Sequence, residues 1–322
     1  MELLIKYKKS LAPFVRNEMS KYSSKFEELN DGMAVIDADI SKVLINSALV
    51  ESASILIGYT DNFHNIKDLK NAAKSGESFK VKCGEKNVCI ELGQMIKDAT
   101  NASVSLDNPD RTIIAEKLGN KYLIYTSEIK LSNRGYSSSN DEFITPDAAR
   151  AMVEYSGWED NGIFADAFCG DGYIIIEAAL KALNVGPGFF KSKDFSFEVK
   201  TPVVKKLKSP LLCMSNDMNE IKFAKQNSRL ARVFKYLTFM VHNVEDLDYK
   251  MKEASVDCLV SALPKRINID KLFFQLEYIM KADCIVVLLT NEDVSGAIKE
   301  YGFRIIDETM IESKKLIKLV KI

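Results

Sequence analysis

The sequence is poor in the residues that metal sites, disulfide frameworks and histidine-based catalysis require. Its 322 residues include two histidines and six cysteines, and the cysteines are scattered, with no CxxC pair and no histidine at ligand spacing. We therefore expect no zinc site, no disulfide framework and no histidine-based catalytic triad. This use of cysteine predicts a reduced protein of the cytoplasm.

Long apolar runs and an excess of one charge are also missing. The longest apolar runs, such as residues 284–289, are too short to span a bilayer, and the stretch MELLIKYKKS lacks the apolar core of a secretory signal. We expect no membrane partner. Because the net charge is −1, any binding of nucleic acid must use a local basic patch. The candidate patches, each of which could equally be solvated surface, are Lys6–Lys9, Lys200–Lys208 and Lys265–Arg266.

The clearest break in the pattern is RGYSSSNDEFITPDAAR, residues 134–150. Its polar SSSND cluster favours a loop, and Thr145 followed by Pro146 is typical of a helix start. We place a domain boundary near residue 140. Beyond it, helices and apolar strands alternate as in βαβ units, which predicts a mostly parallel sheet of about seven strands. The predicted elements are helices at 146–155 and 173–183, strands at 163–167, 211–215, 238–242, 258–262 and 285–290, and a terminal hairpin at 303–311 and 315–322.

The first part of the chain has a different character. Short β-like runs at residues 3–7, 33–36, 79–83 and 122–125 alternate with helices, of which the longest prediction is Ser41–Leu56. This pattern predicts an α+β region of one or two small units.

The stretch FADAFCGDGYIIIEAAL carries the clearest signal of a ligand site. Asp166 ends a predicted strand, and Gly170 and Gly172 form a turn that leads directly into a helix. Glycines let the backbone approach a ligand, and open α/β sheets bind ligands beyond the carboxyl end of their strands. An ordinary turn would also explain two glycines. There is no GxGxxG and no GK[ST], so the stretch predicts neither a dinucleotide nor a nucleoside triphosphate.

Polar residues also follow the next two predicted strands. Asp217 could accept hydrogen bonds from a ribose diol, and Asn243 or Asp246 could bind an adenine amino group. Each of these could alone be a loop residue or a helix cap. Their occurrence at successive strand ends favours one extended ligand with an amine, a ribose and an adenine, which is S-adenosylmethionine.

At this point the sequence resembles a known family. DAFCGDGYIIIEAAL is similar to the DPFCGSGTxxIEAA motif of class I methyltransferases that act on nucleic acid, and NVGPGFFKSKDFSFE resembles the insert that follows it in the THUMP-domain RNA methyltransferases. NDMNEIKFAKQNSRLARV resembles their second-strand segment, and residues 101–136, with LDNPD and RGY, resemble the end of a THUMP domain. The resemblance is clearest over residues 101–230.

The resemblance implies a fold and a division into domains. It predicts an α/β protein with a ferredoxin-like unit at residues 1–60, an RNA-binding THUMP domain at 61–140 and a Rossmann-like class I methyltransferase domain at 141–322. It also implies S-adenosylmethionine as the cofactor and RNA, commonly tRNA rather than DNA, as the partner.

The resemblance also implies the residues that bind the cofactor. Asp166, Gly170 and Gly172 match the positions that hold its methionine part, Asp217 matches the ribose ligand, and Asn243 matches the adenine contact. Their neighbours Phe168, Met218 and Val244 complete the predicted cofactor site.

The stretch VDCLVSALPKR aligns with the family's catalytic motif, VDxIxxNPPYG, but departs from it. Ala262 stands in place of Asn, Leu263 replaces the first proline, Pro264 is kept, and Lys265 replaces the aromatic residue. The Asn side chain would accept a hydrogen bond from the target amine, and the aromatic ring would stack on a flipped base. Losing such a group costs about 10²–10³ in rate, and losing the ring roughly 1–3 kcal/mol in base binding.

Two functions therefore follow from the sequence. The first is an S-adenosylmethionine-dependent RNA methyltransferase, with guanine N2 of tRNA as its favoured target. The second is a catalytically weakened relative that binds RNA, or serves as the partner subunit of another protein. In the first, the Leu263 carbonyl could accept one hydrogen bond, while Lys265 or Arg266 could contact phosphate. We expect Phe273 and Phe274 to be core residues rather than replacement stacking rings. The absence of GxGxxG argues against a nicotinamide-dependent oxidoreductase.

Overall fold

A computed structural model describes residues 1–66, 68–127, 129–131, 134–136, 144–189 and 203–322. The chain forms two compact units, Met1–Lys9 with Val15–Ser132, and Ser10–Phe14 with Asn133–Ile322. The predicted boundary near residue 140 lies outside the described residues, as do parts of the predicted insert and of the Lys200–Lys208 run. The division at residues 60 and 140 stays a prediction.

The first unit is built on a sheet that nine of its described strands share. These strands are β1 (Glu2–Lys6), β2 (Phe26–Asn30), β3 (Met33–Asp37), β4 (Ser52–Thr60), β5 (Ser78–Cys83), β6 (Ser103–Val104), β7 (Arg111–Leu118), β8 (Lys121–Thr126) and β9 (Ile129–Lys130). It contains the helices α2 (Ile40–Asn46) and α3 (Lys86–Thr100) and, from Val15 onward, the helix α1 (Ala12–Met19). The strand order is β2-β3-β1-β4-β8-β7-β5-β6, with β9 also paired to β4. Strand β4 pairs with β1 along its first half and with β8 along its second.

The helix predicted at Ser41–Leu56 is wrong beyond its first turns, because α2 ends at Asn46. A buried carboxylate causes the early end. Glu18 accepts hydrogen bonds from the Ser47 hydroxyl (2.7 Å) and from the Ala48 amide (2.8 Å). The chain then leaves the helix and enters β4, whose apolar and β-branched residues suit a strand.

One disulfide departs from the prediction of a reduced protein without a disulfide framework. Cys83 and Cys89 are bonded, with an S–S distance of 2.06 Å. Cys83 is the last residue of β5 and Cys89 lies in the first turn of α3, so the strand-to-helix turn brings their Cα atoms within 5.9 Å. The other four cysteines are free and buried.

The second unit alternates helices and strands as predicted. Its helices are α4 (Pro146–Ser156), α5 (Tyr173–Ala182), α6 (Met218–Leu230), α7 (Leu247–Lys250), α8 (Ile269–Ile279) and α9 (Ser295–Glu300). Its strands are β10 (Phe164–Asp166), β11 (Leu211–Ser215), β12 (Leu237–Val241), β13 (Val256–Ala262), β14 (Met280–Thr290), β15 (Phe303–Ile311) and β16 (Lys314–Lys321). Within the described ranges, none of the helices combines the length and apolar character of a bilayer span.

The seven described strands of this unit form one sheet in the order β12-β11-β10-β13-β14-β16-β15. The pairs from β12 to β14 are parallel, and β16 lies antiparallel to both β14 and β15. This is the predicted mostly parallel sheet with a terminal hairpin. The strand order reverses direction at β10, and in open α/β sheets a ligand binds at such a switch point, beyond the carboxyl ends of the strands.

Helix α8 corrects one residue-level prediction. Phe273 is fully buried and packs edge-on against Phe303, with ring centroids 5.5 Å apart, so it is a core residue as expected. Phe274, which was also expected in the core, is 54% exposed. Consecutive helix positions point about 100° apart, so only one of the two neighbours faces the sheet.

A buried charged cluster fastens helix α5 to the segment before α4. The Glu177 carboxylate is fully buried and accepts hydrogen bonds from the Arg134 guanidinium and the Tyr136 hydroxyl. Arg150 of α4 contributes a third contact at 3.5 Å. Burial and the nearby Glu177 carboxylate raise the pKa of Tyr136 well above its usual value, so this hydroxyl remains a hydrogen-bond donor.

Candidate functional site

The predicted cofactor residues lie at the carboxyl ends of neighbouring strands. Asp166 ends β10, Asp217 follows β11, and Asn243 follows β12. The strand order β12-β11-β10 places these three strand ends side by side, beyond the carboxyl ends of the parallel strands and next to the switch point. The strand end at Ala262 belongs to β13, on the other side of β10.

Asp166 is a fully buried carboxylate with one oxygen engaged and one without a partner. Its Oδ1 accepts hydrogen bonds from the Ser261 hydroxyl (2.7 Å) and from the Phe168 amide (3.2 Å). Its buried Oδ2 has no hydrogen-bond partner in the part of the chain that the structure describes. Burial raises the pKa of Asp166 to about 7, although its hydrogen bond to Ser261 acts in the opposite direction. An unpaired buried carboxylate oxygen is suited to bind a cation.

The glycine turn has a backbone that other residues adopt poorly. Gly170 and Gly172 have φ values of +47° and +83°, in the left-handed region. A Cβ atom on Gly172 would lie 2.8 Å from the Cβ of Ala224, which leaves no room for a side chain. The turn is also tied to β11, because the Cys169 amide donates to the Met214 carbonyl (2.9 Å). This turn therefore brings bare backbone to the start of α5.

Asp217 caps the start of α6. Its Oδ1 accepts a hydrogen bond from the Asn219 amide (2.7 Å), and its own amide donates to the Ser215 hydroxyl (3.0 Å). The side chain stays exposed at the sheet edge, with its position fixed by the cap. The next residue, Met218, is 67% exposed. A fixed carboxylate beside an exposed apolar side chain suits a ribose joined to a flat base.

Asn243 and Val244 lie at the end of β12, where a short 3₁₀ helix begins (Val244–Asp246). Asn243 is exposed, and its side-chain amide lies 3.5 Å from an Asp246 carboxylate oxygen, at the limit for a hydrogen bond. Val244 is half-buried beside it. The amide group of Asn243 can accept from and donate to the edge of a base.

These groups fit the predicted cofactor. The unpaired oxygen of Asp166 suits an ammonium group, and the glycine turn lets the methionine chain lie close to the backbone. Asp217 suits a ribose diol, and the amide of Asn243 suits the edge of an adenine. No group of three or more histidine, cysteine or acidic side chains in the described chain is arranged to hold a metal ion.

The strand end at Ala262 forms the other half of the site. Ala262 and Leu263 are buried, Pro264 is half-buried, and Lys265 is exposed. The Leu263 amide donates to the Leu289 carbonyl (2.9 Å), which extends the pairing of β13 with β14 beyond Ala262. The methyl side chain of Ala262 cannot accept a hydrogen bond, so an acceptor at this point must come from the backbone or from another residue.

A small cavity beside Ala262 contains residues that the sequence-based site left out. Its described lining consists of Ile144, Phe168, Cys169, Asp171, Tyr173, Ile174 and Ala262. Asp171 and Tyr173 are largely buried there, 7% and 6% exposed. The sequence contained a signal for both, since they stand where DPFCGSGT has Ser and Thr. Ser261, which orients Asp166, was also missed; its signal was a polar residue in an apolar strand.

Comparisons with known proteins agree with this geometry. The family model described as UPF0020, RMKL-like, methyltransferase domain, matches residues 134–272. This match confirms the predicted resemblance to methyltransferases over residues 134–272.

A curated relative extends the similarity over almost the whole chain. The tRNA (guanine(6)-N2)-methyltransferase of Methanocaldococcus jannaschii is 23% identical, and the alignment covers 96% of each chain. The ribosomal RNA large subunit methyltransferase K/L of Shewanella amazonensis is 29% identical over 49% of this chain, which spans only 26% of that protein. Similarity to a full-length methyltransferase therefore includes the first unit as well.

A solved structure shows the same fold. TrmN from Thermus thermophilus superposes with a TM-score of 0.69 at 16% identity, and the match covers all of both chains. The predicted α/β fold with a Rossmann-like methyltransferase sheet is confirmed.

Proposed function

We propose that this protein transfers a methyl group from S-adenosylmethionine to the exocyclic amine of a base in RNA, with guanine N2 of tRNA as the target. The observation that carries the proposal is the convergence of Asp166, the glycine turn, Asp217 and Asn243 at the switch point of a methyltransferase sheet. The comparisons support its coarser part, an RNA methyltransferase, because the relatives are named as methyltransferases of tRNA and ribosomal RNA.

In this proposal, the described residues hold the cofactor at fixed points. The free oxygen of Asp166 accepts from the ammonium group of the methionine part, while the glycine turn lets that part lie against bare backbone. Asp217 accepts from the ribose hydroxyls, and Asn243 pairs with the adenine edge between the apolar side chains of Met218 and Val244. Bound S-adenosylmethionine supplies a methyl carbon that the target amine attacks as the carbon–sulfur bond breaks.

The strand end then holds the target base, next to the small cavity beside Ala262. The Leu263 carbonyl accepts one hydrogen from the amine, which localises the nitrogen lone pair for attack. We assign the second acceptor, lost with Ala262, to the carboxylate of Asp171, because both residues line the same cavity. The rings of Phe168 and Tyr173, also in that lining, take the place of the stacking ring lost at Lys265. The methylated amine releases its extra proton to solvent or to Asp171.

Several finer expectations belong to the same proposal. The first unit would supply the THUMP and ferredoxin-like regions and bind the tRNA, and the enzyme would act in the cytoplasm. The alternative, a catalytically weakened relative acting as an RNA-binding module or partner subunit, is not favoured, because the relatives carry the names of active methyltransferases.

Methyl transfer from labelled S-adenosylmethionine to unmodified tRNA tests this function. We expect incorporation that is lost in Asp217→Ala and retained in Asp270→Ala, which removes an exposed carboxylate in the first turn of α8. Calorimetry should show that Asp217→Ala weakens binding of the cofactor itself. Intact binding of cofactor and tRNA without any incorporation at high enzyme concentration would refute catalysis and support the weakened relative.

A further inference from the structure

A basic surface lies on helix α6, strand β12 and the loop that joins them. Between Ile221 and His242 the sequence has five cations and no Asp or Glu, although the whole chain has a net charge of −1. We call this the α6–β12 surface; its cations and rings are Lys222, Lys225, Arg229, Arg232, Lys235, Phe234 and Phe239. None of the three basic patches considered from the sequence includes it.

Two aromatic rings organise this surface. Phe234 and Phe239 stack, with ring centroids 5.6 Å apart and planes inclined by 25°. The Arg229 guanidinium lies 4.5 Å from the centre of the Phe234 ring, and the Lys225 ammonium lies 5.5 Å from that of Phe239. Each ring therefore carries a cation held by its π face. The result is an ordered row of cation, ring, ring and cation.

The cations of the α6–β12 surface have no acidic partners among the residues that the structure describes. Within the described part of the chain, no carboxylate lies within 4.0 Å of any of the five, whereas other lysines, such as Lys271 and Lys281, are paired. Lys222, Arg229, Arg232 and Lys235 are exposed, and Phe234 is 36% exposed. Five unpaired like charges repel one another, and a polyanion would relieve that repulsion.

We propose that the α6–β12 surface binds the backbone of the substrate RNA outside the site that holds the target base. This inference rests on the proposed function, since it concerns the same substrate. Lys and Arg side chains in a row contact successive phosphates, and a partly exposed ring beside them can stack on an unpaired base. An acidic protein segment would match the charge but has no need of stacked rings.

The position of the surface connects it to the active site. Helix α6 starts at Met218, beside the cofactor residue Asp217, and β12 ends just before Asn243. An α-helix of 13 residues is about 20 Å long, so RNA held along α6 reaches from the carboxyl ends of the strands, where the cofactor residues lie, toward their amino ends. Strand β12 is the end strand of the sheet, so no further described strand covers this side.

Charge reversal on the full-length protein tests the proposal. Lys222→Glu with Arg232→Glu is compared with Lys250→Glu and Lys299→Glu, two exposed lysines of the same unit without a described ion pair. Binding of fluorescein-labelled, unmodified tRNA is followed by anisotropy at several salt concentrations. The first pair should weaken binding at least tenfold at about 0.1 M salt and reduce the slope of log K against log salt by about 1.5. The control pair should change neither quantity by more than a small fraction of that effect.

Two further measurements separate the possible outcomes. Unchanged calorimetric binding of S-adenosylmethionine would show that the variants are folded. Phe234→Ala should weaken tRNA binding while leaving the salt slope unchanged, because it removes a ring and no charge. Equal effects of both charge-reversal pairs, or no tRNA binding by the wild type, would overturn the proposal. If the surface variants weaken tRNA binding while the wild type transfers no methyl group, the RNA-binding surface is supported and the proposed function fails. If the surface variants transfer methyl groups with an unchanged KM for tRNA, the proposed function is supported and the RNA-binding surface fails.

Discussion

The raised pKa of Asp166 predicts a specific dependence of stability on pH. The carboxyl has a pKa of about 7 in the folded protein and about 3.8 when unfolded, because burial penalises its charge. Between pH 3.8 and pH 7, Asp166 is therefore mostly protonated in the folded state and mostly ionised in the unfolded state. The contribution of Asp166 to the free energy of unfolding is fully present below about pH 3.8, and it declines as the pH rises toward 7.

The size of the effect can be worked out from the two pKa values. One pKa unit corresponds to about 1.4 kcal/mol, so linkage predicts that Asp166 lowers the free energy of unfolding by roughly 2–3 kcal/mol between pH 5 and pH 8. Asp166→Asn cannot ionise. Its new amide group lies where Oδ2 had no described partner, so the substitution carries a penalty that does not change with pH, whereas the contribution of Asp166 in the wild type falls as the pH rises. The two proteins should therefore differ most at pH 5.

Urea denaturation monitored by tryptophan fluorescence measures this difference. The chain has one tryptophan, Trp158, which is buried and packs on Phe164 of β10, with centroids 5.0 Å apart. Its emission therefore reports the unfolding of the second unit, where Asp166 lies. If the wild type and Asp166→Asn lose stability in parallel from pH 5 to pH 8, the carboxyl does not titrate as argued, and its suitability for a cation would need another explanation.

Three more predictions concern the site. S-adenosylmethionine should bind the wild type about fivefold more tightly at pH 7 than at pH 6, since binding requires ionised Asp166; calorimetry should find no such change in Asp166→Asn. Gly172→Ala should lower the free energy of unfolding by about 2 kcal/mol or more and weaken cofactor binding, because of its positive φ and the contact with Ala224. Ala262→Asn with Lys265→Tyr should raise methyl transfer to tRNA at saturating cofactor, because it restores the family's acceptor and ring.

Each of these predictions has a control or a result that would contradict it. Gly296→Ala is matched to Gly172→Ala, since a Cβ at Gly296 meets no atom within 4 Å, and it should leave stability unchanged or slightly raised. A Gly172→Ala protein as stable as Gly296→Ala would contradict the steric argument. For the double substitution, a flat response would show that VDCLVSALPKR does not align with the catalytic motif. An affinity for cofactor that is independent of pH in the wild type would remove Asp166 from the ammonium site.

Local sequence pattern predicted the methyltransferase sheet well. The strands Leu211–Ser215 and Phe303–Ile311 begin and end where the pattern placed them, because apolar runs bounded by turn residues define parallel and hairpin strands locally. The positions of Asp166, Asp217 and Asn243 near strand ends could be read from the sequence in the same way, and their role in binding the cofactor stays a prediction. The errors involve contacts between distant parts of the chain. The end of α2 depends on Glu18, which lies 29 positions before Ser47.

The acceptor half of the site could not be predicted in the same way. The sequence shows that Ala262 lacks the family's acceptor, but only the fold brings it to the same cavity as Asp171 and Tyr173. The α6–β12 surface was missed for a related reason. Its cations are spaced along a helix and a loop rather than clustered in a run, and they form one surface only when α6 packs beside β12.

The buried cluster around Glu177 limits where the chain can be shortened. A protein that began at residue 141, the predicted start of the methyltransferase domain, would lack Arg134 and Tyr136, and Glu177 would keep Arg150 as its described partner. Removing one side of a buried ion pair costs about 3–5 kcal/mol, a large part of the stability of an ordinary domain. The RGY segment, residues 134–136, thus stabilises the methyltransferase unit. A shortened or fused protein that lacks this segment would have a less stable helix α5.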